Sequence, residues 1–323
     1  MQTMQKPVFL PPGPTRRWFL AAAGAPLLVS LGACQTPPAV VQKPQPPPPA
    51  AMPSRPAVAA PLPAMRPPRL GLALGGGAAR GFAHIGVIQV LEEAGIRPDL
   101  VVGTSAGSLV AALYAHGKTG AELANLALTM DEGSITDWAY PSRGLIRGEA
   151  LARYVREQTG GQTIEQMKMR LGIVATDLDS GMPMLFERGD PGVAVRASSS
   201  VPAVFQPVLI NGREYVDGGL VSPVPVRFAR QMGAEMVIAV DISSPPDGAA
   251  TGDTMKLLLQ TFAIMGKSIN QFELRDADVV LRPALIGVSS ADFTSRVRAL
   301  RAGREMAAVV LPQIRAKLAS MAR

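Results

Sequence analysis

The sequence predicts an α/β fold with a mostly parallel central sheet and helices on both faces, and three observations carry that expectation. From Leu70 onward, short β-branched or leucine-rich runs alternate with longer stretches of helical period. Two strand-to-helix junctions, after Leu74 and after Gly103, are built almost wholly of glycine, alanine and serine. The 68 residues before them hold no segment able to pack a core, so one domain of residues 69–323 is expected to follow a leader (1–33) and a tether (34–68).

The leader opens with Thr15-Arg16-Arg17-Trp18-Phe19-Leu20, and residues 21–31 form an apolar run of 11. A spanning helix needs about 20 residues, so the run has the proportions of an export signal. The Thr-Arg-Arg-x-Phe-Leu order resembles a twin-arginine signal without the usual following basic residue, which leaves the general secretion route open. Leu31-Gly32-Ala33-Cys34 resembles a bacterial lipobox and marks Cys34, the sole cysteine, as the lipidated first residue of the mature chain. Gln35 after it fits sorting to an outer membrane, with the domain facing the periplasm. Residues 35–68 carry thirteen prolines and almost no charge. At about 3.1 Å per residue such a tether reaches roughly 100 Å, against a radius of gyration of roughly 18 Å for the body it would hold.

Composition excludes several functions. One cysteine permits neither an internal disulfide nor a cysteine-rich zinc site, and two histidines do not make a histidine cage. The net charge of +7 falls to +4 without Lys6, Arg16 and Arg17 of the leader. With aromatics at 5% and no basic run interleaved with them, nucleic acid is not an expected partner, while a mild attraction to anionic lipid headgroups is.

Within the domain, residues 70–74 read as a strand ending in Gly75-Gly76-Gly77-Ala78-Ala79-Arg80-Gly81, and 82–94 as a helix closed by Gly95. A glycine loop there exposes consecutive backbone N–H groups suited to an anion or a developing oxyanion. A dinucleotide fingerprint fails because Arg80 stands where its last glycine belongs, and a phosphate loop ending at Gly117-Lys118-Thr119 fails because residue 112 is alanine. Residues 99–103 form the second strand, and Gly103-Thr104-Ser105-Ala106-Gly107 follows, with a helix from Leu109 to about His116. Such a turn holds its serine in strained geometry beside a helix N-terminus, where Ala106 offers an N–H; it is also compatible with an ordinary strand-to-helix turn. Both loops leave the C-terminal ends of strands expected to be neighbours, where open α/β sheets place their ligand crevice.

Further along, helices are expected at 121–130 and 149–158, with 131–147 irregular and either lining the site or packed on the sheet edge. Strands are expected at 171–177, 183–187 and 206–210, with a helix at 193–200. Glu214-Tyr215-Val216 leads into Asp217-Gly218-Gly219, where Asp217 is either a base for Ser105 or part of a common β-turn. A strand at 236–240, a helix at 254–274, a strand at 278–281 and one or two helices over 292–318, divided near Ala302-Gly303, complete the pattern.

The glycine loop, the Gly103-to-Gly107 turn and Asp217-Gly218-Gly219, in that order, resemble the three signatures of bacterial patatin-like phospholipases. So do the connecting segments, residues 197–205 and 223–226 running on to Asp241. The resemblance implies a patatin-like three-layer fold. It also implies a Ser–Asp dyad of Ser105 as nucleophile and Asp217 as base, working without histidine, metal or cofactor. The oxyanion would be held by N–H groups of Gly75, Gly76 and Gly77, aided by Ala106. Arg80 would hold the loop or attract an anionic headgroup, and His84, on the following helix, has a structural role more readily than a catalytic one. The implied activity is hydrolysis of acyl esters in membrane lipids, of phospholipase A or lysophospholipase type. An acyltransferase using the same dyad, or a lipid-binding envelope lipoprotein without activity, would share these features.

Overall fold

Strand and helix alternate as their residues dictate, and the computed structural model describes them over residues 66–139, 143–244, 252–289 and 292–323. The expected leader, Cys34 and the tether up to residue 65 lie outside the described residues. The chain runs β1 (Leu70–Leu74), α1 (Phe82–Glu93), β2 (Leu100–Thr104), α2 (Ala106–His116) and α3 (Gly120–Thr129), then β3 (Gly144–Ile146) and α4 (Glu149–Gln158). β4 (Arg170–Asp177), β5 (Pro183–Phe186), α5 (Pro191–Ser198), β6 (Ala203–Phe205), β7 (Val208–Ile210) and β8 (Arg213–Asp217) follow. The last part is α6 (Val226–Gln231), β9 (Met236–Val240), α7 (Thr254–Glu273), β10 (Val279–Leu281) and α8 (Arg296–Met321).

The sheet has the order β10-β9-β1-β2-β4-β8-β7, with β5 alongside β4. β10, β9, β1, β2 and β4 are mutually parallel; β5, β8 and β7 add antiparallel pairs at one side. β1 sits between two parallel partners, Leu72 level with Val101 and with Ile238, and all five of its residues are buried. Side chains alternate accordingly: Leu72, Leu74, Val101, Ile238 and Val240 face a core shared with α1, α2, α3 and α8. Ala73, Val102, Val237 and Ala239 face a thinner layer with Phe228 and Met232 at α6. Helices thus cover both faces.

Several boundaries differ from expectation for local reasons. α2 begins at Ala106 rather than Leu109, because the turn residue Ser105 is itself the N-cap position. The irregular stretch contains a 3-10 turn (Glu132–Ile135) and β3, which pairs with β6. α6 has six residues between Pro225 and Gly233, too short to show a helical period. α8 is one helix of 26 residues that passes through Gly303 and Pro312 instead of dividing at Gly303. Gly303 marks a crossing: a Cβ there would lie 1.9 Å from the Ala83 carbonyl of α1, and one at Gly86 would lie 2.0 Å from the Leu300 carbonyl of α8. Two glycines facing each other let the helix backbones approach closely. At the start of the described chain, Arg66, expected within the tether, exchanges backbone hydrogen bonds with Arg323 and forks onto Glu235 at 2.9 Å through each guanidinium nitrogen.

The crossing makes a prediction. Gly303→Ala gains roughly 1 kcal/mol in helix propensity but overpacks the α1/α8 contact at a cost of about 1–3 kcal/mol or more. The urea midpoint should fall; a rise would mean that the helices do not approach as closely as described.

Candidate active site

β2 delivers Ser105 at the C-terminal edge of the sheet in a backbone geometry that serine rarely adopts, φ 53° and ψ −124°. The turn closes only because two of its neighbours lack side chains. A Cβ on Gly103 would lie 2.4 Å from the Gly107 carbonyl, and one on Gly107 would lie 2.1 Å from that of Leu74. Hydroxyls then fix the strained residue on both sides. The Ser105 N–H donates to Ser198 Oγ at 2.8 Å, and that hydroxyl donates onward to the Val174 carbonyl at 2.6 Å. The Ser105 carbonyl accepts from the Ser108 hydroxyl at 2.6 Å, while Thr104 donates to the Ser222 carbonyl at 2.9 Å. Ser105 makes no side-chain capping bond to α2.

The Ser105 hydroxyl instead acts on the carboxyl of Asp217, close enough to draw its proton affinity down. Register explains the meeting: β2 lies beside β4, and β8 returns antiparallel on the far side of β4 with Asp217 level with Ala175. The Asp217 backbone is held by the Ser200 carbonyl at 2.9 Å and the Thr176 hydroxyl at 2.8 Å. Its Oδ1 accepts the Gly219 N–H at 2.6 Å. Only 6% of the residue is exposed. Burial pushes the carboxyl up to about 6, against the pull of Ser105 and the Gly219 N–H.

The glycine loop abuts the serine, since a Cβ on Gly76 would lie 3.1 Å from Ser105 Cβ. Of the four expected oxyanion donors, two are already engaged. Gly75 N–H donates to the Val240 carbonyl at 3.0 Å and Gly76 N–H to the Pro223 carbonyl at 2.9 Å, bonds that tie the loop to β9 and to the segment before α6. Among the described residues, the N–H groups of Gly77 and Ala106 have no acceptor, and neither has that of Ala78, a non-glycine residue at φ 48°. Arg80 is buried and turned away from solvent, donating to Ser244 Oγ and, at 3.3 Å, to the Leu285 carbonyl. It pins the loop to the segments after β9 and β10. His84 is fully buried, with Nε2 2.8 Å from the Gly75 carbonyl. A carbonyl only accepts, so Nε2 carries the ring proton; burial depresses the imidazole to about 4, and the bond to Gly75 opposes that only in part. His84 is a neutral strut for the loop, and His116 lies elsewhere, against Gln162 at 3.0 Å.

Ser198 is the functional residue the sequence did not single out: its serine run was visible, but only the fold shows which hydroxyl meets the Ser105 N–H. Beside the loop, an apolar cavity of about 70 Å³ opens between Ala78 and Ala106 and runs past Phe82, Leu109, Met130 and Phe293. From the irregular stretch, Ile135 lines this cavity, whereas Trp138 is exposed. Among the described residues no cluster of three or more histidine, cysteine or acidic side chains could hold a metal ion.

The chain was compared with known proteins. Residues 72–230 match the patatin-like phospholipase family model. Over 186 residues, 57% of its length, the chain is 38% identical to an uncharacterized NTE family protein of Mycobacterium bovis, covering 51% of that protein. Over 196 residues, 58% of its length, it is 34% identical to the human patatin-like phospholipase domain-containing protein 6, covering 14% of it. The chain thus spans about half the length of the mycobacterial relative. The crystal structure of VipD from Legionella pneumophila shares the fold, with a TM-score of 0.53 at 14% identity over 77% of this chain and 68% of VipD. The glycine loop, Ser105 and Asp217 all fall within residues 72–230, the segment that matches the patatin-like phospholipase family model.

Proposed function

We propose that the protein is a serine acyl hydrolase of membrane lipids that works through Ser105 and Asp217. The observation that carries this reading is the juxtaposition of a strained, partly exposed serine and a buried carboxyl whose proton affinity has been raised towards neutrality. Asp217 takes the hydroxyl proton as Ser105 Oγ bonds to the ester carbonyl carbon. The tetrahedral oxyanion sits on the N–H groups of Gly77 and Ala106, each typically worth about 3 kcal/mol in the transition state. The ester C–O bond then breaks, the leaving alcohol carries away the proton from Asp217, and an acyl-enzyme remains. Water, deprotonated by the same carboxylate, releases the fatty acid and restores the serine. The apolar cavity between Ala78 and Ala106 suits the first part of an acyl chain. With the lipobox-like Cys34, the reading extends to an exported, lipid-anchored protein on the periplasmic side of an outer membrane.

Ser105→Ala removes ester hydrolysis and labelling by a fluorophosphonate probe without unfolding the protein, and Asp217→Asn removes hydrolysis. Because burial already disfavours the ionised carboxyl, Asp217→Asn should not lower Tm at pH 8; an activity that survives either change in folded protein overturns the dyad. Hydrolysis of a soluble ester should rise with pH through a midpoint near the Asp217 value of about 6 and level off above it, since the carboxyl must be ionised to accept a proton. Cys34→Ala should shift the protein from membrane to soluble fractions, and persistence in the membrane would exclude the acyl anchor. Product analysis with and without an added alcohol acceptor distinguishes hydrolysis from acyl transfer.

A further inference from the structure

α7 is the least buried helix beside the site. Of its 20 residues only Asn270 and Glu273 are buried, and no residue in its first three turns is. Its contacts with the body lie at its C-terminal part. Gly266 approaches Pro223, Asn270 Nδ2 donates to Ser243 Oγ at 3.4 Å, and the Glu273 carboxylate accepts from the Ser222 hydroxyl at 3.0 Å and Arg227 Nε at 2.9 Å. These partners follow the C-terminal ends of β8 and β9. The same segment reaches the active site directly, because Pro223 holds the Gly76 N–H and Ser222 holds the Thr104 hydroxyl.

The face opposite those contacts carries exposed apolar side chains, with Thr261 and Ser268 among them, and no described residue buries it. Leu257, Leu258, Ile264, Met265 and Phe272 recur at helical spacing, with Leu257 53% and Phe272 64% exposed. The pattern is inverted relative to a surface helix of a globular body, which turns its polar face to water. The remaining charge is one-sided: between the capping Asp253 and the buried Glu273 there are two lysines, Lys256 and Lys267, and no acidic residue. A wide apolar arc with basic residues and glutamines at its margin is the composition of a helix that lies in a bilayer interface. A partner protein would meet the arc equally well, but it would find no acidic side chain there to set its register, whereas anionic headgroups meet the lysines without geometric demand. Ile286, 94% exposed in the turn after β10, adds a second apolar point at the same edge of the sheet. Among the described residues no helix is long and apolar enough to cross a membrane.

We infer that α7 docks the catalytic edge onto an anionic lipid surface, with its leucine–methionine–phenylalanine arc among the acyl chains and Lys256 and Lys267 at the headgroups. The inference rests on the lipid-hydrolase reading for its choice of a bilayer as occupant. The test uses the full chain with Cys34→Ser, which removes the only cysteine and any acyl anchor, and with Ser268→Cys on the exposed arc carrying an environment-sensitive fluorophore. Vesicles containing equal parts of phosphatidylglycerol and phosphatidylcholine should blue-shift and brighten the label, and pure phosphatidylcholine should do so less. Adding Leu257→Ser, Leu258→Ser and Met265→Ser should weaken vesicle binding by about tenfold or more and reduce hydrolysis of vesicle lipid, while hydrolysis of a soluble short-chain ester stays unchanged. A label that reports water whether or not vesicles are present overturns the inference. So does one that responds to protein concentration without vesicles, which would assign the arc to a second copy of the chain. Vesicle binding that persists in Ser105→Ala, together with intact hydrolysis in that variant, would instead sink the proposed function and leave the docking surface standing.

Discussion

A carboxyl buried against one hydroxyl sets the terms for everything around it. The groups that act on the Asp217 carboxyl are Ser105 and the Gly219 N–H, neither of them a cation. Leaving a charge in such a place costs free energy that these two groups only partly offset, which is why its proton affinity moves towards neutrality. The sheet must therefore hold three strands, β2, β4 and β8, in one register, since a slip of one residue on β8 would turn the carboxyl to the other face. The strained serine depends on the same framework: Ser198, Ser108 and Thr104 fix its flanks through bonds that reach α5, α2 and the segment before α6.

Around this pair the fold commits its other polar groups to structure. His84, fully buried and neutral, carries the Gly75 carbonyl, and Arg80 spends its guanidinium on Ser244 and Leu285. Arg80 lies in the glycine loop and His84 on the helix that follows it, and both fasten the loop whose Gly77 and Ala78 N–H groups are left without an acceptor among the described residues. A histidine so placed is a poor candidate for the base that a lone serine usually suggests: its Nε2 is engaged by the Gly75 carbonyl and burial lowers its affinity for a second proton.

What could be read from the sequence was what is local. The serine turn was legible because a β-branched run, two spaced glycines and a helix pattern stand within about ten residues of one another, and the strands and helices near it were placed for the same reason. The missing parts depend on distant partners. Gly75 and Gly76 looked like free donors, and only the fold brings Val240 and Pro223 onto them. Gly303 looked like a break in a helix, because a glycine that ends a helix and one that admits a neighbouring backbone are the same letter. α6 was too short to carry a period, and the exposed face of α7 reads as an ordinary amphipathic helix until the packing shows which side faces the body.

The uncapped start of α2 has a further consequence. A serine at that position ordinarily closes the helix with its own oxygen, a contact worth about 1 kcal/mol; here the hydroxyl is turned to Asp217, and the first N–H of the helix is left without an acceptor. On the proposed mechanism, the negative oxygen of a tetrahedral adduct would give that N–H the acceptor it lacks. The start of α2 would then hold the charged adduct in preference to the neutral ester, because the N-terminal end of a helix favours negative charge.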